Sequence, residues 1–230
     1  RPEIALWVYI SRFVMMDTLA WVRDEELRRR MLNKSMIVYN GVDVNALRRV
    51  RDRVVRELGI DEHSIVFIGR LMEYKGVKFL VRAFRRVVNE VPDAKLHIIG
   101  DGPIYGDISN IIALPRPKAM EVLAESAVLT HPSLYESFGM VISEAYAMGK
   151  PVITHRAGYA VELVEEPKAG LVVNVLNEEE YANAMITLLT DKDLYNKFSQ
   201  RASLFAEEEL SVEAMVNGYV NAYKRAINNA

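Results

Sequence analysis

The 230-residue chain contains no cysteine. Neither a disulfide framework nor a thiolate metal site can therefore be built from it, and the composition suits a reducing, cytoplasmic setting. It also lacks an excess of charge of either sign. Lys and Arg number 29 against 31 Asp and Glu, a formal −2, without the strongly basic face on which nucleic-acid binding rests. Long hydrophobic runs are missing as well. No stretch approaches the ~18 uninterrupted apolar residues of a membrane span. The opening "EIALWVYI" (3–10) has neither the basic n-region nor the small-residue cleavage site of a signal peptide. Histidine is sparse: residues 63, 97, 131 and 155 show neither triad nor metal-ligand spacing, and His131, followed by Pro132, reads as a turn position. With 50% apolar and 26% charged residues, what remains is a globular chain of one large or two small domains. It opens at Arg1, not Met, on sequence that reads as the middle of a protein, so a fragment or single domain is expected.

Short apolar runs recur along the chain: "ALWVYI", "SMIVY", "SIVFIG", "KLHIIG", "NIIAL", "AVLTH", "PVIT" and "LVVNV". Helical patterns separate several of them. Leu80, Ala83, Phe84, Val87, Val88 and Val91 make one apolar helix face, and Val212, Met215, Val216, Tyr219, Val220 and Tyr223 make another. Alternating βα units with two-sided apolar strands predict a Rossmann-like, doubly wound α/β fold: a parallel sheet with helices on both faces and a helical C-terminal tail from Glu178. The clearest seam is the turn signal "YNGVD" at 39–43.

Open parallel sheets bind ligands at the carboxyl ends of their strands. After "SIVFI" come Gly69 and Arg70, then Lys75 at the start of a helix, two cations that could neutralise an anion or simply be solvated. After "KLHII" come Gly100, Gly102 and Gly106. Their spacing imitates a dinucleotide loop, but the following "NIIAL" ends in Pro115-Arg116, with no acid for a ribose. After "AVLTH" the stretch "HPSLYESFGMVISEAYAMGKPVI" (131–153) places Glu136 and Glu144 eight positions apart. Eight helical residues span ~12 Å, beyond the ~5–9.5 Å of paired glycosidase carboxylates. A division of labour fits better. A helix beginning near Phe138 or Gly139 would offer free N–H groups to a diphosphate, with Glu144 reaching a ribose and Glu136 the group beyond. A solvated Glu144 behind an acid-favoured helix start would leave the same spacing.

"NGVD" (40–43), "IGRLMEYKG" (68–76), "IIGDGP" (98–103), "ESFGMVISEA" (136–145) and "MGKPVI" (148–153) together resemble the nucleotide-sugar-binding half of family 4 retaining glycosyltransferases of GT-B architecture. The resemblance runs from about Asn40 to Ala226. It implies that residues 40–230 form a donor domain and residues 1–39 the tail of an otherwise missing acceptor domain. It implies catalytic roles for Glu136, Arg70 and Lys75, with Arg70 and Lys75 on the donor diphosphate, Glu136 on the donor sugar and Glu144 on the ribose. Gly69, Gly100, Gly102, Arg116, Ser137, Phe138, Gly139, Met140 and Val141 would complete the donor site. The implied reaction transfers a hexose from a UDP-, GDP- or ADP-linked sugar to an acceptor the sequence does not name, with no metal or other cofactor. Partners would be the donor, the acceptor and the chain's own N-terminal domain, with peripheral membrane contact left open and no nucleic acid. The fragment alone is expected to be inactive or weakly active. In this chain the helix after the Gly-rich turn shrinks to "IYGDISN", and the family's Gly-Gly before its last acid reads Gly158-Tyr159, ahead of Glu162.

Other readings compete. A non-catalytic nucleotide-sugar-binding module would use the same pocket, and a nicotinamide-dependent oxidoreductase half would ignore Arg70 and Lys75. Asp191-Lys192-Asp193 spells a metal-binding D-x-D but reads more simply as helix N-terminal acids. The arginines of "RRVRDRVVR" (48–56) and Arg28-Arg29-Arg30 read as solvated faces, the first backed by an apolar stripe of Leu47, Val50, Val54 and Leu58.

Overall fold

A computed structural model describes residues 4–103 and 116–228, with only the backbone of Arg116 and Pro117. The expected strand "NIIAL" (110–114), the segment "IYGDISN" and Gly106 lie outside the described residues. The elements run β1 (Trp7–Tyr9), α1 (Arg12–Ala20), α2 (Glu25–Asn33), β2 (Ser35–Ile37), α3 (Val44–Leu58), β3 (Asp61–Ile68), α4 (Val77–Glu90), β4 (Lys95–Ile99), α5 (Arg116–Glu125), β5 (Ser126–His131), α6 (Met140–Ala147), β6 (Val152–His155), α7 (Gly158–Ala160), β7 (Gly170–Val173), α8 (Glu178–Thr190), α9 (Lys192–Glu208) and α10 (Val212–Asn228). A π-helical turn, Val161–Glu165, continues α7.

Five strands form one parallel sheet in the order β4-β3-β5-β6-β7. Alternation along the strands divides the core. Val66, Ile99, Leu129 and Val152 pack on one face with residues of α3, α5, α6 and α9. Ile65, Phe67, Ile98, Val128 and Ile153 pack on the other with α4 and α8. Burying a residue of this kind contributes about 1.5–3 kcal/mol, and with both faces covered the strands read as continuous apolar runs. The doubly wound fold is therefore the one expected. The stripe on α4 is buried at Leu80, Ala83 and Val87.

The arginine-rich helix α3 differs from its reading. Val54 is buried, but Leu58 at the helix end is 70% exposed. Arg48 donates to Ser203 O and to Glu207 Oε2 (3.0 Å), and Arg53 meets Glu121 Oε1 (2.6 Å). These arginines tie α3 to α9 and α5; they are not simply solvated. Asp191 caps α9, accepting from Leu194 N (2.9 Å), a helix N-terminal acid as its spacing suggests.

Residues preceding the sheet form a second, smaller unit. Strands β1 and β2 pair in parallel, with α1 and α2 between them. Helix α10 comes back to this unit, where Arg225 donates to Asn33 O (3.1 Å) and Ser35 O (3.4 Å). The turn at 39–43 is the crossing point, bridged in parallel by Val42 and Ser211. One carboxylate gathers most of the polar contacts that fasten the small unit to the sheet, beside the Arg12–Glu166 ion pair and the bond from Ser11 Oγ to Ser137 O (3.0 Å). Glu162, 3% exposed, accepts from the backbone N–H groups of Arg12 (2.9 Å) and Phe13 (3.1 Å), from Arg12 Nε (3.2 Å) and from Tyr39 OH (3.3 Å). It thus serves the free first turn of α1 from 150 residues away. Replacing Glu162 by Ala should lower stability by about 1–3 kcal/mol. It should also speed amide hydrogen exchange at Arg12 and Phe13, with β3 and β5 still protected. Unchanged exchange at those two amides would show that other contacts hold the unit.

Candidate functional site

From β3 the chain crosses to β4 on one side, then returns to place β5 on the other side of β3. The reversal opens a crevice at the carboxyl ends of β3 and β5, the place where open parallel sheets take ligands. The three loops leaving these strands are stitched together. Gly69 N donates to Ile99 O (3.0 Å), Leu71 N to Asp101 O (2.8 Å) and Leu134 N to Tyr74 O (2.8 Å). The exits of β3 and β4 run so close that a Cβ on Gly100 would lie 1.8 Å from Gly69 O, and one on Gly102 2.4 Å from Leu71 O.

In the loop after β3, a 3-10 turn at Glu73–Lys75 ends on Gly76, whose φ of +72° is left-handed. A Cβ there would meet Pro132 O at 2.2 Å, so the turn sits directly on the loop after β5. Lys75 is consequently buried. Its ammonium pairs with Glu136 and stands 5.4 Å from the centre of the Tyr74 ring. Arg70 is exposed at the rim, its Nη2 donating to Tyr74 OH (2.9 Å).

The loop after β5 carries the carboxylate. Glu136 Oε1 accepts from Ser137 N (3.1 Å), while Oε2 faces Lys75 and lies 3.4 Å from His131 Nε2. Burial alone would raise the Glu136 carboxyl, but His131 and Lys75 outweigh it and hold it down to about 2, against an ordinary 4.5. Burial pushes the His131 imidazole below its ordinary value, so at neutral pH Lys75 is the standing cation. His131 is the last residue of β5 and is buried against the Tyr159 ring (6.0 Å); it is not a turn residue. Tyr159, the departure from the family's second glycine, is fully buried, bonding Thr154 Oγ1 (2.7 Å) and donating to Ser133 O (3.4 Å). His131 was missed because His-Pro spacing carries no sign of a glutamate five residues on.

Helix α6 starts at Met140 after Gly139, whose φ is +80°. Phe138 anchors the turn, buried against Tyr39 (ring centroids 5.8 Å). Among the described residues the N–H groups of Phe138, Gly139, Met140 and Val141 have no protein acceptor, whereas that of Ser137 is taken by Glu136. Glu144, one turn into α6, is only 7% exposed and is not a solvated surface acid. Arg116 heads α5, but its side chain lies outside the described residues. The structure thus gathers Gly69, Arg70, Lys75, Gly100, Gly102, Glu136 and the start of α6 at one edge of the sheet. It supplies buried positive charge, free helix amides and two carboxylates in unlike surroundings. A cavity of about 630 Å³ lies elsewhere, between Tyr39, Glu162, Phe205 and Met215.

A parallel sheet with a crevice at its strand reversal, lined by Lys75 and the start of α6, defines a doubly wound α/β domain. Comparison with known proteins narrows the class. The family model described as Glycosyl transferases group 1 matches residues 62–191, more than half of the chain, and the chain belongs to that family. The N-acetyl-alpha-D-glucosaminyl L-malate synthase of Bacillus anthracis is 30% identical over 200 residues, 81% of this chain and 52% of that protein. The D-inositol 3-phosphate glycosyltransferase of Corynebacterium glutamicum is 31% identical over 208 residues, 77% of this chain and 50% of that one. The chain spans about half the length of the curated relatives it matches. Among solved structures, HepE of Anabaena in complex with UDP superimposes with a TM-score of 0.79 at 20% identity, covering 96% of this chain and 64% of that one. The fold is that of GT-B glycosyltransferase structures.

The Glu136 carboxyl, depressed when folded, contributes stability fully above its ordinary 4.5 that is lost as pH falls toward about 2. Replacing Lys75 by Met leaves the carboxylate buried without its cation and raises its pKa. The stability lost, on the order of 1–3 kcal/mol, should accordingly be larger at pH 7 than at pH 3, where Glu136 of the variant is protonated. Chemical denaturation at the two pH values reads this difference. A penalty independent of pH would refute the charge pairing.

Proposed function

We propose that the chain is the donor-binding half of a retaining glycosyltransferase that transfers a hexose from a nucleoside-diphosphate sugar. On this reading residues 40–230 are the donor domain and residues 1–39 the tail of the domain that receives the acceptor. The observation that carries it is the Lys75–Glu136 pair beside the free N-terminus of α6, within a chain of the group 1 family. HepE of Anabaena has been solved in complex with UDP-glucose, which supports a donor of this kind.

Departure of a nucleoside diphosphate from a sugar builds negative charge on the leaving oxygens. Charged groups and dipoles fixed before the reaction stabilise such charge without reorganising. In the proposed complex Lys75 and Arg70 meet the diphosphate from the loop after β3, and the amides of Phe138 to Val141 meet it from α6. These groups do what a metal does in other transferases, so the reaction is read as metal-free. Glu136, kept ionised by Lys75, faces the sugar, where a carboxylate stabilises an oxocarbenium-like transition state. Glu144 accepts hydrogen bonds from the ribose hydroxyls.

Isothermal titration with UDP-, GDP- and ADP-linked hexoses, with NADP(H) as a control for the oxidoreductase class, tests the reading. One sugar nucleotide should bind without added metal. Replacing Lys75 by Ala or Glu144 by Ala should weaken it by about ten- to a hundredfold, equivalent to about 1.4–2.8 kcal/mol. Binding that survives both substitutions, or a preference for NADP(H), would overturn the assignment.

A further inference from the structure

The arginines of α3 and the "MGKPVI" stretch meet again at the opposite edge of the sheet. Lys150 precedes β6, so it lies at the amino ends of the strands, away from the crevice at their carboxyl ends. A cavity of about 490 Å³ there, far larger than the ~30 Å³ share of one water, is walled by α3, the α6–β6 turn and α9. Its charged lining consists of Arg51, Asp52 and Arg56 from α3 and Lys150 from the turn; α9 contributes Tyr195, Asn196, Ser199 and Ser203.

Two independent observations suggest an occupant. Lys150 is only 1% exposed, and among the described residues its Nζ has neither a hydrogen-bond partner nor a carboxylate. An ammonium withdrawn from water without a counter-charge is costly. Burial, with Arg51 adding to it, pushes Lys150 down to about 7, so near neutral pH it is poised to gain from any anion. The second observation is geometric. Around the Cβ position of Gly149 stand Ser203 Oγ (2.9 Å), Ser199 Oγ (3.3 Å) and Arg51 Nη1 (3.9 Å). Arg51 gives Nε and Nη2 to Asp52 Oδ1 (2.9 and 2.6 Å), which occupies the cavity's one carboxylate and orients the guanidinium. Ser199 Oγ donates to Gly149 O (2.6 Å) and holds the turn. Arg51 Nη1 and the Ser203 hydroxyl make no hydrogen bond to the described residues, and a Cβ on Gly149 would press against the Ser203 hydroxyl.

We propose that this cavity is a binding site for a phosphate-type oxyanion, held by Lys150, Arg51 and the Ser203 hydroxyl and separate from the donor crevice. Free phosphate and the phosphoryl group of a small metabolite share this chemistry.

Titration of the protein with inorganic phosphate, and in a parallel arm with a hexose monophosphate, tests the site by calorimetry and by thermal midpoint. Wild type should bind phosphate saturably and melt higher as its concentration rises. Tighter binding of the hexose monophosphate would identify a metabolite as the source, and equal binding the free ion. Lys150→Met, which keeps the reach of the side chain but has no charge to bury, should lose at least about tenfold in affinity, with a midpoint indifferent to phosphate. Arg51→Gln, on the accessible side of α3, should weaken binding similarly and serves if the Met variant does not fold. Lys75→Ala, which removes any phosphate taken up in the donor crevice, should keep the binding that Lys150→Met loses. Absence of saturable binding, undiminished binding in both Lys150→Met and Arg51→Gln, or loss in Lys75→Ala would overturn the proposal. The last result would place the anion in the donor crevice without damaging the donor reading.

Discussion

Everything at the carboxyl edge of the sheet follows from the reversal of strand order around β3. Loops that leave neighbouring strands for opposite sides cannot cover the gap between them, so a crevice is built into the topology. Lys75 and Glu136 come from the two loops that diverge there, and their pairing closes the base of the crevice. The backbone bond from Leu134 to Tyr74 and the contact of Gly76 with Pro132 hold the loops in register beneath it. Both charges are pre-set in position, which is the condition for electrostatic help to a reaction without reorganisation.

Two buried lysines illustrate how environment sets the role of one residue type. Lys75 has a carboxylate, an aromatic ring and an open rim. Lys150 has an arginine neighbour and, among the described residues, no carboxylate partner. Pairing repays much of the cost of leaving water in the first case, whereas in the second the cost stands until a ligand supplies the missing charge. The two lie at opposite edges of the sheet, and α6 leads from the loop that carries Glu136 to the turn that carries Lys150.

The parts of this structure legible in the sequence are those written locally. Two-sided apolar strands such as "SIVFI", the stripe on α4, and the loop-to-helix passage from Glu136 to Glu144 each occupy a short window. Within it, period and spacing report the environment directly. The family resemblance rests on the same windows. What could not be read depends on contacts between distant segments. Glu162 meets Arg12 and Phe13 across some 150 positions. Arg48 reaches α9 across 159, so an arginine row that looks solvated along one helix is partly spent on another. His131 needed the fold of the next loop to bring Glu136 back to it.

The chain passes between its two units twice, at 39–43 and again at 210–212, and at Val42 and Ser211 the two passages are bonded side by side. A paired strap of this kind behaves unlike a single tether. Bending across its width strains only a few backbone torsions, while twisting or sliding must stretch the hydrogen bonds between the two strips. The small unit and the sheet are thereby resistant to twisting and sliding against each other. Tyr39, the first residue of the earlier passage, touches Phe138 at the start of α6, so the strap is anchored beside the crevice.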